Sequence, residues 1–528
     1  MNIRQVQRCK KSVAKVMGVH RSMNYREPYQ DSEDIEFGGT AFFVHPKIFG
    51  GSFPVNTRNK RFALTNFHVV DELFERQCFL CYPEKGKSQI TAEIIFTIPS
   101  LDVAILMVDP GGEHPLWVDS ENIKTFISSI PNLNIDERPI KGNSQNVVAI
   151  GFPNLSSDYQ LCEGCISGRG HSMIQLSISL NGGNSGGPLL LNGKVIGICT
   201  ASISESEALG LAVPIHQTLR FFQHWTDFEN IILRTPSWPF KTTTTTPDYL
   251  QYHGIHHSIE GITIHKYTDS VESQEIQKDD ILLAVSSSNK RFDIDNFGLV
   301  SVPWTDKRVN INDQEFILSL DPSDIRFQVF NWKTKKIRPS ISVMPVVPKL
   351  KVRETHHCWE DVSYCVLGGI VFMDLATNHF EFEEDEEDED EPNPVSSLIQ
   401  YGHNTMHLKT TVIVTHIPAQ SSVSQQRVLR EFDRIIQCNG KEVSSVVGLE
   451  KIIKDAVKAY NHKNKNVKNN AQFIVLKTDK TTVYLNMETL RNKEVEDVEK
   501  ERYSRKKGHL LKLNVANKRK RKRSKINY

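Results

Sequence analysis

At 528 residues the chain is too long for one hydrophobic core, and roughly 100–200 residues per domain implies three or four domains. Its 39% hydrophobic and 24% charged residues are ordinary for a globular protein, and no apolar run reaches the ~18 residues that span a bilayer as a helix. The formal net charge of +1 hides two opposed blocks, ten acids in the eleven residues 381–391 and seven bases in the eight residues 518–525.

The N-terminus is basic, with no acid before Glu27, in the manner of a transit peptide. However, Ser12–Val16 already reads as a strand, which leaves too little chain for an ordinary targeting segment. Nine cysteines without a framework spacing read as reduced thiols. The expected compartment is intracellular and not secreted, nuclear or cytoplasmic, with 518–525 as a nuclear signal or a nucleic-acid contact.

From Gly38 to about Pro214, short β-rich runs recur between Gly, Pro, Asn and Ser: 40–44, 62–64, 92–96, 103–108, 146–151, 174–180 and 194–200. This pattern predicts an all-β sandwich or barrel. A helix is expected over about 214–234, on the spacing of Leu219, Phe222, Trp225 and Ile231. Five threonines before Pro247 read as a linker, 236–247. Two mixed α/β units follow, 248–346 and 347–490. Each ends in a strand, a turn and a helical pattern, and the second carries the acidic insert 381–391 as a solvated loop. Residues 491–528 read as a basic, disordered tail.

Three strings in the β-rich region carry chemistry. Gly182–Pro188 (GGNSGGP) sets a serine among glycines. A serine hydroxyl needs a base within hydrogen-bond reach and amides aimed at the oxyanion, and glycines let the backbone turn those amides inward. Ala63–Val70 (ALTNFHVV) places His68 just after a strand, and Leu101–Val108 (LDVAILMV) holds Asp102 at the head of an apolar strand. Each alone has a plain structural reading as a turn, a surface histidine or a capping aspartate. Together they have the order His, Asp, Ser of one triad arrangement. Ser185 is then the nucleophile, His68 the base and Asp102 its orienting group, with the N–H groups of Gly183 and Ser185 as the oxyanion hole and Asn184 between them.

These strings resemble the HtrA/Deg (Do-like) serine proteases: TNFHVV is similar to their TNxHVV, LDVAIL to their DLAVL, and GGNSGGPLL to their GNSGGPL. The resemblance implies a mainly β chain, with a chymotrypsin-like double β-barrel over 1–235 and two α+β PDZ-like domains, closest in order to the eukaryotic plant-type subgroup. It implies an ATP-independent endopeptidase for unfolded or damaged polypeptides, without cofactor or metal, assembled from trimers and not bound to membrane. A catalytically silent chaperone or peptide-binding scaffold is the alternative. It also implies that Pro46–Arg61 is a variable regulatory loop. QLSISLN (175–181) departs from the family's acidic and alanine-rich strand, and with no acid at the pocket base, small or medium apolar side chains are expected at the cleavage site. Tyr249–Ile255 takes the place of a peptide-carboxylate loop, with Tyr252, Gly254 and Ile255 as candidate peptide contacts.

Two C-x-x-C pairs, Cys78/Cys81 and Cys162/Cys165, have metal-like spacing. The first lies on a predicted strand, whose i and i+3 side chains point to opposite faces, while a turn is expected around the second. His356–Cys358 reads as an ordinary loop.

Overall fold

The computed structural model describes residues 3–492 except 31–33, 74–75, 120, 141–143, 171, 201–209, 268–275, 339–340, 344, 348–349, 384–397, 399–408, 420 and 463–471. Most of the acidic insert and all but the first two residues of the basic tail lie outside the described residues.

Two closed six-stranded barrels form the N-terminal half. The first contains β1 (Val13–His20), β2 (Ile35–Val44), β3 (Arg61–Thr65), β4 (Gln77–Cys81), β5 (Gln89–Ile98) and β6 (Val103–Val108), in the order β1-β2-β3-β6-β5-β4. The second contains β7 (Asn146–Gly151), β8 (Gln160–Gly170), β9 (Met173–Leu176), β10 (Pro188–Leu191), β11 (Lys194–Thr200) and β12 (Gly210–Pro214), in the order β10-β11-β12-β9-β8-β7. Every pairing is antiparallel, so each barrel closes without an exposed edge. Alternation drives this. In β3, Phe62 and Leu64 enter a core shared with Phe42, Val44, Ile105 and Phe152, and each such side chain contributes about 1.5–3 kcal/mol by leaving water.

The expected regulatory loop is anchored at its base. Phe49 is buried and stacks on Phe53 at 4.5 Å, with Phe62 and Phe222 at its edges. The helix expected over 214–234 is shorter. Ile215–Arg220 is α-helical, Phe221–Trp225 continues as a π turn, and Thr226 is extended. Leu219 and Phe222 are buried as their spacing predicts; Ile231 instead pairs its carbonyl with the Thr97 N–H, a strand-like contact that ends the helical pattern early.

The threonine run is not a linker. Phe240–Thr243 is an edge strand paired with Ile262–Tyr267, because β-branched side chains suit a pleated surface as well as a loop. It belongs to a seven-stranded sheet covered by the helix Gln314–Ser319, around a core that includes Trp238, Phe240, Phe316 and Phe327.

A second compact unit comprises residues 349–528 together with 21–33. Its own seven-stranded sheet packs Phe372, Val414 and Leu476 against the helix Val446–His462 through Leu449 and Ile453. The segment between β1 and β2 joins this unit. Tyr25 packs with Val366, Val371 and Met373, its hydroxyl donates to the Thr355 carbonyl at 2.7 Å, and Thr415 Oγ1 donates to the Arg26 carbonyl at 3.0 Å.

Candidate active site

His68 follows β3, Asp102 precedes β6 and Ser185 precedes β10, so three loops carry the three side chains. Strands β3 and β6 are paired from Arg61↔Val108 to Thr65↔Ala104, which brings the first two loops side by side. Asp102 ends a 3₁₀ turn in the left-handed region, at φ 51 and ψ 49. Its carboxylate accepts from the His68 backbone N–H at 3.0 Å, and its two oxygens stand 3.0 and 2.9 Å from His68 Nδ1. A carboxylate can only accept, so the proton sits on Nδ1 and Nε2 is left with its lone pair. Thr200 Oγ1, at the end of β11, donates to Asp102 Oδ2 at 3.0 Å.

The nucleophile loop is held by its backbone. Gly183 and Gly186 have φ of 93 and 86, in the left-handed region. A Cβ at Gly183 would lie 2.2 Å from the Phe152 carbonyl oxygen, and one at Gly186 would lie 2.0 Å from that of Thr40, so both positions require glycine. Thr40 clamps the loop from β2: its N–H donates to the Ser185 carbonyl at 2.8 Å and its hydroxyl to the Gly183 carbonyl at 2.7 Å.

The amides of the loop divide into two sets. Asn184 N–H donates to Asn181 at 3.1 Å, Gly186 N–H to Cys199 at 2.9 Å and Gly187 N–H to Asn184 at 3.0 Å. The N–H groups of Gly183 and Ser185 have no acceptor among the described residues. The Gly182 carbonyl is held by Asn154 N–H at 2.6 Å, and a trans peptide sends its C=O and N–H opposite ways, so the Gly183 N–H faces away from Asn154. Two unspent amides thus flank Asn184, and an oxyanion needs donors of this kind. Asn184, between them, spends its own amide within the loop.

Ser185 is buried and approaches the histidine loop: a Cβ built on Gly39 would touch the Ser185 carbonyl oxygen and a Val69 methyl, each at 2.8 Å. No hydrogen bond joins Ser185 to His68 among the described residues. Such bonds are often long without substrate and tighten when it binds.

The peptide-contact expectation for Tyr252, Gly254 and Ile255 needs correction. Gly254, at φ 58, ends the helix Pro247–Tyr252. The N–H groups of His253, Gly254 and Ile255 donate to the carbonyls of Tyr249, Gln251 and Leu250, and Ile255 is buried with Ile281 and Phe330. These amides cap a helix and none is left for a carboxylate; Tyr252 and Gly254 are exposed and Ile255 is not. Cys162 and Cys165 lie on β8, not in a turn, so both C-x-x-C pairs point their thiols to opposite faces of a strand. No disulfide joins any of the nine cysteines.

Two residues of the site were given no role: Asn66, in the string of His68 and just after β3, and Thr200, the last residue of the expected run 194–200. A polar residue at a buried strand end is the signal that marks them.

A family described as trypsin-like peptidase domain matches residues 39–198, and one described as PDZ domain matches 352–505. Among curated proteins, putative protease Do-like 12, mitochondrial, of Arabidopsis thaliana is 22% identical over 67% of this chain and 64% of its own length. Protease Do-like 4, mitochondrial, of the same plant is 23% identical over 70% of this chain and 65% of its own length. The probable periplasmic DegP-like serine endoprotease of Pseudomonas putida (strain W619) is 31% identical over 29% of this chain and 30% of its own length. The chain thus spans slightly under two thirds of the Do-like relatives. A solved HtrA-type protease, AlgW with decapeptide, aligns with 65% of this chain and 97% of its own at 17% identity and a TM-score of 0.43.

The relatives overturn one expectation. Their names place them in mitochondria or periplasm, which points away from a nuclear or cytoplasmic setting. A run of bases is a solvated polycation shared by many kinds of tail and does not specify an address. The chain thus carries a trypsin-like peptidase domain followed by a PDZ domain and is similar to the Do-like (HtrA/Deg) proteases.

Proposed function

We propose that the chain is a serine endopeptidase that acts without ATP on unfolded or damaged polypeptides through an acyl-enzyme. The observation that carries this reading is the pairing of an Asp102-held His68 with two unspent amides at Gly183 and Ser185. Ser185 Oγ attacks the scissile carbonyl, and His68 Nε2 takes its proton and later passes it to the leaving amine. Asp102 stabilises the imidazolium, and the two amides hold the oxyanion. Small or medium apolar side chains are preferred at the cleavage site, the C-terminal PDZ domain and the sheet domain at 248–346 capture peptide or gate access, and the working assembly is built from trimers.

Casein digestion by wild type and Ser185→Ala, with fluorophosphonate labelling, tests the reading. Wild type should digest casein and label, and Ser185→Ala should do neither. Equal digestion by both would end the assignment. The missing Ser185–His68 hydrogen bond favours a second reading, a silent peptide-binding scaffold; that reading holds if wild type binds peptides yet neither digests nor labels.

A further inference from the structure

Asn66 is fully buried, and its carboxamide is engaged at both ends. Nδ2 donates to the Asp102 carbonyl at 2.8 Å, and Oδ1 accepts from the Gly186 N–H at 2.5 Å. The orientation of the amide is unambiguous, since a carbonyl can only accept and a backbone N–H can only donate. The two partners belong to different loops. One is the backbone of Asp102, a non-glycine residue held in the left-handed region, which side chains other than Asn and Asp rarely occupy. The other is the residue immediately after Ser185.

We propose that Asn66 is a positioning residue of the reaction: its side chain bridges the residue that orients the base to the loop that presents the nucleophile and the oxyanion amides. This rests on the peptidase reading above. Without the donor, the Asp102 carbonyl is buried without its partner and the left-handed turn relaxes. Without the acceptor, the Gly186 N–H keeps only the Cys199 carbonyl at 2.9 Å, and the loop can rotate about Ser185. Either change moves reacting groups by a fraction of an ångström to an ångström, which costs up to about 100-fold in rate when orientation is lost. Substrate contacts are untouched, so the loss falls on kcat and not on KM.

Asn66→Ala and Asn66→Asp, assayed with casein peptides and fluorophosphonate between pH 5 and 8, separate positioning from simple support of the fold. Asn66→Ala should lower kcat by about 30- to 100-fold with KM within about threefold. The ionised carboxylate of Asn66→Asp can accept from Gly186 but has no donor for Asp102. Its protonated form has both, so the labelling rate of Asn66→Asp relative to wild type should rise as pH falls, while that of Asn66→Ala stays flat. The proposal is overturned if Asn66→Ala labels within about twofold of wild type, or if the Asn66→Asp ratio is flat across the range. Failure of wild type itself to label would instead sink the peptidase reading, and this inference with it.

Discussion

Thr200 reaches Asp102 through one hydroxyl at the end of β11, and that single bond sets what its loss should do. A hydrogen bond to a charged group contributes about 1.5–3 kcal/mol. Thr200→Val conserves shape and removes the donor, so we expect kcat to fall about tenfold, or more, with little change in melting temperature. Steady-state kinetics on a peptide substrate, with a thermal melt of the same sample, checks this; a fall in stability with kcat intact would make Thr200 a structural residue only. The pairing of His68 with Asp102 was legible in the sequence because an imidazole and a carboxylate stand beside recognisable strand ends. Asn66 sat in the string of His68 and Thr200 at the end of the run 194–200, but their roles depend on which loops meet in space. Tyr252, Gly254 and Ile255 misled because a glycine that caps a helix and a glycine that opens an anion nest look alike in sequence.

At the level of elements, most barrel strands could be read from alternation, and β6, β7 and β11 match their expected spans residue for residue. The errors came where two structures share one pattern. Threonines serve a loop or an edge strand equally, and the apolar spacing after Pro214 continues past the point where the backbone turns extended. The segment 21–30 has no helix or strand, and its order comes from tertiary contacts. Tyr25 is its anchor, 7% exposed and hydrogen-bonded to Thr355. Truncating a buried aromatic costs about 3–5 kcal/mol, so Tyr25→Ala should destabilise the C-terminal unit by about 3 kcal/mol in urea unfolding. A change below about 1 kcal/mol would show that the strip contributes little to that unit.

For the molecule as a whole, acid is the expected weak point of the C-terminal unit. Burial pulls the His379 imidazole down from its ordinary value to about 4. Its Nδ1 stands 3.0 Å from the Ala376 N–H and 3.1 Å from the Ala376 carbonyl, and Nε2 is enclosed without a partner, so the charged ring would leave its Nε2–H unpaired in a buried site. The unfolded chain binds that proton near pH 6.5 and the folded unit resists it, so stability is complete above about 6.5 and declines as pH falls toward 4, by at most about 3 kcal/mol. Glu431, held below the usual carboxylate range by His416 and the Ile417 N–H against its burial, adds a loss at lower pH. Asp374, pushed up by burial, works the other way. Melting of wild type and His379→Leu from pH 7.5 to 4.5 checks this: the variant should be less stable at neutral pH yet flatter across the range, and parallel curves would remove His379 as the cause.

Because Met23, Tyr25 and Tyr29 contribute to the hydrophobic packing of the C-terminal unit while the strands on either side belong to the first barrel, no single cut separates two self-sufficient fragments. A fragment ending near 348 would carry Met23, Tyr25 and Tyr29 with nothing to cover them, and one starting near 349 would lack part of its own interior. Each should be sticky when made alone, and mixing the two should restore solubility.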